Sequence, residues 1–183
     1  MSSADLSRTV RTQRLTLRPL SADDPHDVDG IFDLFGRAEV ARWSGLRVPM
    51  TDRQQAVDRI AGQPARAGDH PAAGIFGVFD DDGFVGVTML VPIPASRGFS
   101  NDDVEIGWHY LPRVWGRGYA TEAARAMVQR GWDAGFGELV AVTDPENGPS
   151  QAVCGRLDMS DLGLRDDWYD ETLRAFRLEN PHQ

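Results

Sequence analysis

Lysine is absent from this chain, and all 19 basic residues are arginine. That absence excludes a phosphate-cradling P-loop of the usual type, a Schiff-base or pyridoxal enzyme, and a protein kinase, because each needs an ammonium group at a fixed place. We read the exclusive use of arginine as compositional background. Cysteine is nearly absent: Cys154 stands alone and cannot form an internal disulfide. Histidine is sparse, and His26, His70, His109 and His182 have no zinc-ligand spacing, so no metal site is expected. No run approaches the ~20 apolar residues that span a bilayer, and Met1 to Val10 lacks the apolar core of a signal peptide. A soluble protein of the reducing cytoplasm is the expectation. Positive charge is also in deficit, at 19 basic against 28 acidic residues and a formal charge of −9. That argues against nucleic acid as a partner, since phosphate neutralisation supplies most non-specific affinity.

What is present suits one domain over residues 1–183, with 1–12 expected to be flexible, because chains of about 100–200 residues usually bury a single core. Arg14 to Leu20 alternates apolar and polar residues as a strand with one buried face. A helix starts near Pro25 and carries Val28, Ile31, Phe32 and Phe35 at helical spacing up to Gly36. A second, capped by Thr51, is expected over Asp52 to Ala67. Gly74 to Phe79 and Phe84 to Val91 read as a hairpin around Asp82-Gly83. Asp103 to Leu111 follows as a strand with Val104, Ile106, Trp108 and Tyr110 on one face and Glu105, Gly107 and His109 on the other. The period then becomes helical from Arg117 until Gly135, and Leu139 to Thr143, Pro149 to Leu157, Met159 to Leu164 and Thr172 to Leu178 read as strand, helix, strand and strand. The order is mixed, with meander strands before a βαβ-like centre: an α+β chain of six to seven strands and about four helices.

The most informative segment is Arg113-Val114-Trp115-Gly116-Arg117-Gly118-Tyr119-Ala120-Thr121-Glu122-Ala123, which lies between a strand and a helix. Two glycines allow a tight turn with N–H groups pointing inward, and the helix start adds positive dipole, so the place suits a pyrophosphate. Arg113 and Arg117 are positioned in sequence to add charge-assisted contacts. A dinucleotide-binding fingerprint fails here because its third glycine falls on Thr121.

These residues carry a resemblance. Arg113, Gly116 and Gly118 match the Arg/Gln-x-x-Gly-x-Gly/Ala signature of the GCN5-related N-acetyltransferase (GNAT) superfamily. The longer string through Ala123 resembles the subgroup that acetylates ribosomal-protein N-termini and related amines (RimJ/RimL-like). Arg14-Leu15-Thr16-Leu17-Arg18, Glu105-Ile106-Gly107-Trp108, Asn147-x-x-Ser150 and Arg156-Leu157 extend the resemblance in order along nearly the whole chain. It implies a mostly antiparallel sheet splayed into a V where Asp103 to Leu111 diverges from Leu139 to Thr143, with acetyl-CoA as co-substrate in the split. Backbone groups near Trp108, His109 and Tyr110 would hold the acyl carbonyl and pantetheine. Amides from Arg113 through Val114, Trp115, Gly116, Arg117, Gly118, Tyr119 and Ala120 to Thr121 would hold the diphosphate, and Asn147 and Ser150 the pantetheine or acyl end.

The implied function is acetyl transfer to a primary amine by direct attack, without a covalent enzyme intermediate. Such transfer needs a base for the amine and an acid for the leaving thiolate. Glu105 is the candidate base, against a salt-bridged strand glutamate as the alternative reading. His109, about 13 Å further along the same face, is either a proton relay or a surface histidine. At the usual tyrosine of the family this chain has Cys154, either an acid or an inert packing residue, and Ser150 or a water is the other acid candidate. Asp158 replaces a family glycine and, as an aspartate, tolerates the left-handed conformation. Glu122 reads as structural, paired along its helix with Arg125. Trp43, Trp108, Trp115, Trp168 and Tyr169 are either core or acceptor-facing, and the loops Arg37 to Thr51 and Arg97 to Asp102 are expected at the cleft. Asp161, Asp166, Asp167, Asp170 and Glu171 would attract a cationic acceptor, such as a basic peptide N-terminus, a polyamine or an aminoglycoside, or simply keep the protein soluble. The sequence leaves a homodimer open and fixes no interface for it, and a non-catalytic acyl-CoA sensor is the alternative function.

Overall fold

The computed structural model describes residues 9–182. Its elements in chain order are β1 (Val10–Arg11), β2 (Thr16–Pro19), α1 (Pro25–Gly36), α2 (Ala38–Ala41), α3 (Arg53–Ala61), α4 (Gln63–Ala67), β3 (Gly74–Asp80), β4 (Gly83–Pro92), β5 (Val104–Tyr110), α5 (Tyr119–Asp133), β6 (Glu138–Thr143), α6 (Gly148–Arg156), β7 (Ser160–Arg165) and β8 (Leu173–Glu179). A 3-10 turn, Pro112–Val114, joins β5 to the approach to α5. The strands form one eight-stranded sheet in the order β1-β2-β3-β4-β5-β6-β8-β7, antiparallel except between β5 and β6.

The sheet has one strand more than the sequence suggests. The addition is β1, in the segment expected to be flexible; residues 1–8 of that segment lie outside the described residues. Val10 and Arg11 pair with Leu17 and Thr16. Thr12 and Arg14 are then tied to α5 by Glu122, which accepts from the Thr12 hydroxyl (2.6 Å) and the Arg14 N–H (2.9 Å) and pairs with the Arg14 guanidinium. Glu122 is thus structural, but its partner comes from the start of the chain and not from Arg125, which donates to the Arg156 carbonyl.

The expected second helix is two helices. Asp52, not Thr51, caps α3 in a capping box with Gln55. Gly62 separates α3 from α4, and Pro64, in the first turn of α4, cannot donate back across the break. With the short α2 this makes six α-helices among the described residues. Asp158 has φ 59°, the left-handed conformation expected of it.

Two faces of the sheet carry separate cores. α1, α3 and β4 enclose Val28, Ile31, Phe35, Ile60 and Val87 on one side. α5 and α6 cover Ile106, Tyr110, Met127, Leu139 and Phe176 on the other. The alternation of β5 therefore sends Ile106 and Tyr110 to the α5 side and His109 to the α1 side, where it meets Phe35 edge-on at 5.3 Å. No helix among the described residues is long and apolar enough to cross a membrane.

Candidate active site

The site begins where the sheet comes apart. β5 keeps seven register pairs with β4 and β6 keeps six with β8, but β5 and β6 share one, Glu105 with Val140. Beyond that pair the strands part, and a cavity of about 470 Å³ reaches residues 105–109 on one strand and 141–143 on the other. Leu111 donates its N–H to the Val85 carbonyl (2.9 Å). In an antiparallel ladder neighbouring residues point opposite ways, so the odd residues of β5 bond to β4 and the even ones, Trp108 and Tyr110, direct their backbone N–H groups into the split. The Tyr110 carbonyl is taken by the Trp115 indole (2.8 Å).

The glycine turn lies past the open end of the split. Gly116 and Gly118 adopt φ 75° and 80°, a region that costs a residue with a Cβ about 1–2 kcal/mol. Gly118 is the N-cap of the 15-residue α5 and offers no side chain to it. Among the described residues the N–H groups of Gly118, Tyr119, Ala120 and Thr121 have no acceptor, as the first turn of an uncapped helix must. Val114, Tyr119 and Thr121 are buried, so they can present only backbone to a ligand here. Arg113 and Arg117 also have partners within the protein. Arg113 donates to the Phe84 carbonyl (2.7 Å), and both guanidiniums stand 4.0 Å from Asp80, so they brace the β3–β4 hairpin beside the turn. Trp115 is half exposed.

At the vertex, Glu105 is 5% exposed. The Tyr169 hydroxyl donates to its Oε2, and Arg66 stands 3.3 Å from that oxygen while donating to the Tyr169 oxygen (2.6 Å). Oε1 has no donor among the described residues. Burial pushes the Glu105 carboxyl up to about 7, opposed by the Tyr169 hydrogen bond and the Arg66 charge. Tyr169 enters the cavity because the loop carrying it is pinned. Its N–H reaches the Pro94 carbonyl (3.2 Å), and Asp170 bonds to the Ser96 hydroxyl (2.9 Å) and the Arg97 N–H (2.8 Å). Tyr169 and Asp170 both take positive φ, 62° and 56°.

The other sequence candidates divide. Trp108, His109, Asn147 and Ser150 line the cavity with Glu105. The Asn147 side-chain Oδ1 caps α6 by accepting from the Ser150 N–H (3.2 Å). Burial, then the Arg59 charge, pushes the His109 imidazole down to about 4, so it is neutral and ill suited to relay protons near pH 7. Cys154 is wholly buried in the α5-side core, does not line the cavity, and has its thiol pushed up to about 12 by burial. It packs, and no path for proton donation is open to it. Trp43 and Tyr169 do face the cavity, whereas Trp168 is core and donates its indole N–H to Asp103 (3.0 Å). Of the two expected loops, 42–47 lines the cavity; 99–101 lines a smaller one, about 300 Å³, beside Trp168. Arg66 and Tyr169 were not legible as partners of Glu105, since 39 and 64 residues separate them from it.

Residues 14–160 match the family described as Acetyltransferase (GNAT) domain. The chain is similar to the FsC-acetyl coenzyme A-N(2)-transacetylase of Aspergillus fumigatus, 36% identical over 154 residues, which covers 80% of this chain and 64% of the fungal one; it thus spans under two thirds of that relative. Among solved structures it resembles RimL, the ribosomal L7/L12 alpha-N-protein acetyltransferase in complex with coenzyme A, with TM-score 0.76, 14% identity and coverage of 96% and 99%. An acetyltransferase from Agrobacterium tumefaciens gives TM-score 0.73 at 24% identity, with 98% of both chains covered. These likenesses to solved structures are likenesses of fold, and it is the match over residues 14–160, with the split sheet and the glycine turn, that establishes membership: the chain belongs to the GNAT acetyltransferase family.

Proposed function

We propose that this protein transfers an acetyl group from acetyl-CoA directly to a primary amine, with Glu105 as the base. The observation that carries this is a buried carboxylate, one oxygen committed to Tyr169 and Arg66 and the other free, at the vertex of a split lined with free backbone donors. The chain fits acetyl-CoA on its own terms. Four unpartnered amides at the start of α5 suit a diphosphate, and the even-numbered groups of β5 suit the acyl and pantetheine amides. When bound, acetyl-CoA supplies the acetyl group as a thioester.

Glu105 Oε1 accepts the proton of the incoming ammonium, directly or through a water, and a carboxyl near 7 does so at neutral pH. A backbone N–H of β5 that faces the split, that of Trp108, would stabilise the developing oxyanion. Ser150, which lines the same cavity, is our candidate to protonate the departing thiolate. Neither cysteine nor lysine lines the cavity, which supports attack by the amine itself over a covalent enzyme intermediate. The charged cluster at the vertex supports this reading over a non-catalytic sensor, which has no use for a carboxylate held near neutrality.

The test is calorimetric titration with acetyl-CoA followed by a free-thiol assay against a panel of amines, peptides and aminoglycosides. Binding in the micromolar range with thiol release only when an acceptor is present is the expected result. Failure to bind overturns the reading, and so does acetylated protein accumulating without acceptor.

A further inference from the structure

The charges around the cavity do not all find partners. Arg47 reaches across its mouth to Asp144 and Glu171, and Arg66 is taken by Glu105 and Tyr169. Asp58 accepts the side-chain amide of Gln54 (2.9 Å). Of the cations, two arginines remain, while Asp58, exposed and bonded to a neutral amide, keeps its charge. Among the described residues no carboxylate lies within 4.0 Å of the Arg59 or the Arg42 guanidinium, and each rests on an aromatic ring, Arg59 4.0 Å from the centre of Phe35 and Arg42 4.0 Å from that of Trp43. Arg59 is partly buried, and burial alone pulls its guanidinium below the usual value, since no carboxylate is close enough to hold it up. A cation withdrawn from water without a counter-charge is costly, so the cavity wall near Arg59 favours an anion.

The place of that cation is informative. Arg59 comes from α3 and sits over Phe35, which meets His109 edge-on. His109 is four residues, about 13 Å, along β5 from Glu105 and on the same face. One end of the cavity therefore offers a proton acceptor and the other an unpaired guanidinium. The acidic residues that in sequence suggested a cationic acceptor are mostly neutralised: Asp161 pairs with Arg174, Asp167 with Arg165, Asp170 with Arg97 and Glu171 with Arg47.

We propose that the acceptor is an amine that also bears a carboxylate, its anionic group held by Arg59, with Arg42 at the cavity mouth, and its amino group directed to Glu105. This rests on the transfer reading above and names its substrate class. A planar guanidinium fork on a rigid aromatic seat matches a carboxylate in two parallel hydrogen bonds, which an ammonium cannot do.

The experiment compares each of glycine, β-alanine, 4-aminobutyrate, 6-aminohexanoate and glycylglycine with its own carboxamide, which keeps the amine and removes the charge. Each pair is titrated calorimetrically into the protein with and without CoA, for the wild type, Arg59→Gln and Arg59→Lys, and thiol release from acetyl-CoA is followed in parallel. At least one carboxylate should bind about tenfold or more tighter than its carboxamide, the scale of a hydrogen bond to a charged group. Arg59→Gln should erase that preference, and Arg59→Lys should keep part of it; should the glutamine variant fail to fold, the lysine variant reports the geometry of the fork. Carboxamides binding as well as carboxylates, no binding by either member of any pair, or a preference that survives Arg59→Gln overturns the proposal. Thiol release with carboxamides at undiminished KM overturns it while leaving the transfer reading intact. A carboxylate preference lost in Arg59→Gln, without thiol release for any acceptor, upholds the anion site and overturns the transfer reading.

Discussion

The two walls of the candidate site are built in different ways. On the α5 side, from the cavity out to the glycine turn past its open end, the unpartnered groups are backbone amides, those of Gly118 to Thr121 and of the even residues of β5, while Val114, Tyr119 and Thr121 are buried. On the α1 side the groups are side chains, Arg59, Arg66, Glu105 and Tyr169, drawn from four separate elements and loops. A backbone site depends on φ, ψ and the absence of a Cβ, so it is set by a short stretch of chain and serves one invariant ligand. A side-chain site depends on burial and on distant neighbours. Its pKa values and charge balance can therefore be changed one residue at a time without altering the fold, which is where a family sharing one co-substrate can diversify its acceptors.

The sharpest way to separate the walls is to disable one and measure the other. Glu105→Gln should lower kcat by roughly 10²–10⁴-fold near pH 8, with acetyl-CoA affinity unchanged in calorimetry. Because the folded-state pKa of Glu105 is raised, its stabilising contribution is present below the ordinary carboxyl range and is lost as pH rises through about 7. Glu105→Gln should therefore be more stable than the wild type at pH 8, by roughly 1–3 kcal/mol, and should lose that advantage at pH 4 in urea unfolding. Wild-type activity should rise as the pH passes about 7 for the same reason.

Gly118→Val is the converse experiment. Left-handed strain at φ 80° and a branched side chain beside the amides should weaken acetyl-CoA binding by about tenfold or more, with the pH–rate midpoint unmoved. A shifted midpoint would show that the two walls are not independent. Tyr169→Phe should have a smaller effect. Loss of the hydrogen bond that lowers the Glu105 pKa should move the acidic limb of the rate profile to higher pH, with KM for acetyl-CoA unaffected. An unmoved limb would leave Tyr169 only a packing role. Cys154→Ala is expected to do least to catalysis, keeping turnover within about twofold while costing about 1–2 kcal/mol in unfolding through lost core packing. Collapse of turnover at constant stability would reinstate the thiol as the acid.

Much of the molecule was legible in the sequence because it is local. The α1 stripe, the alternation of β5 and the glycine pair before α5 are each fixed by periodicities or turn preferences within a few residues and appear where expected, as does the β3–β4 hairpin, although its turn is Asp81-Asp82 and Gly83 already belongs to β4. β1 escaped notice because two residues carry no periodicity; it is held by pairing with β2 and, just beyond it, by the bonds of Thr12 and Arg14 to Glu122, 110 and 108 residues away. The break between α3 and α4 turned on Pro64, whose missing N–H outweighed an otherwise continuous pattern.

For the site, the sequence alone determined that a carboxylate and a histidine share one face of β5 and that a turn with two left-handed glycines lies between β5 and α5, because strand alternation and left-handed glycines are properties of the local chain. Tertiary structure alone decided which charges are neutralised. It withdrew Cys154 into the core, shared Arg66 and Tyr169 with Glu105, paired most of the C-terminal acidic residues with arginines and left Arg59 without a counter-charge among the described residues. Electrostatic energies depend on burial and on distances between residues remote in sequence, and those exist only once the chain has folded.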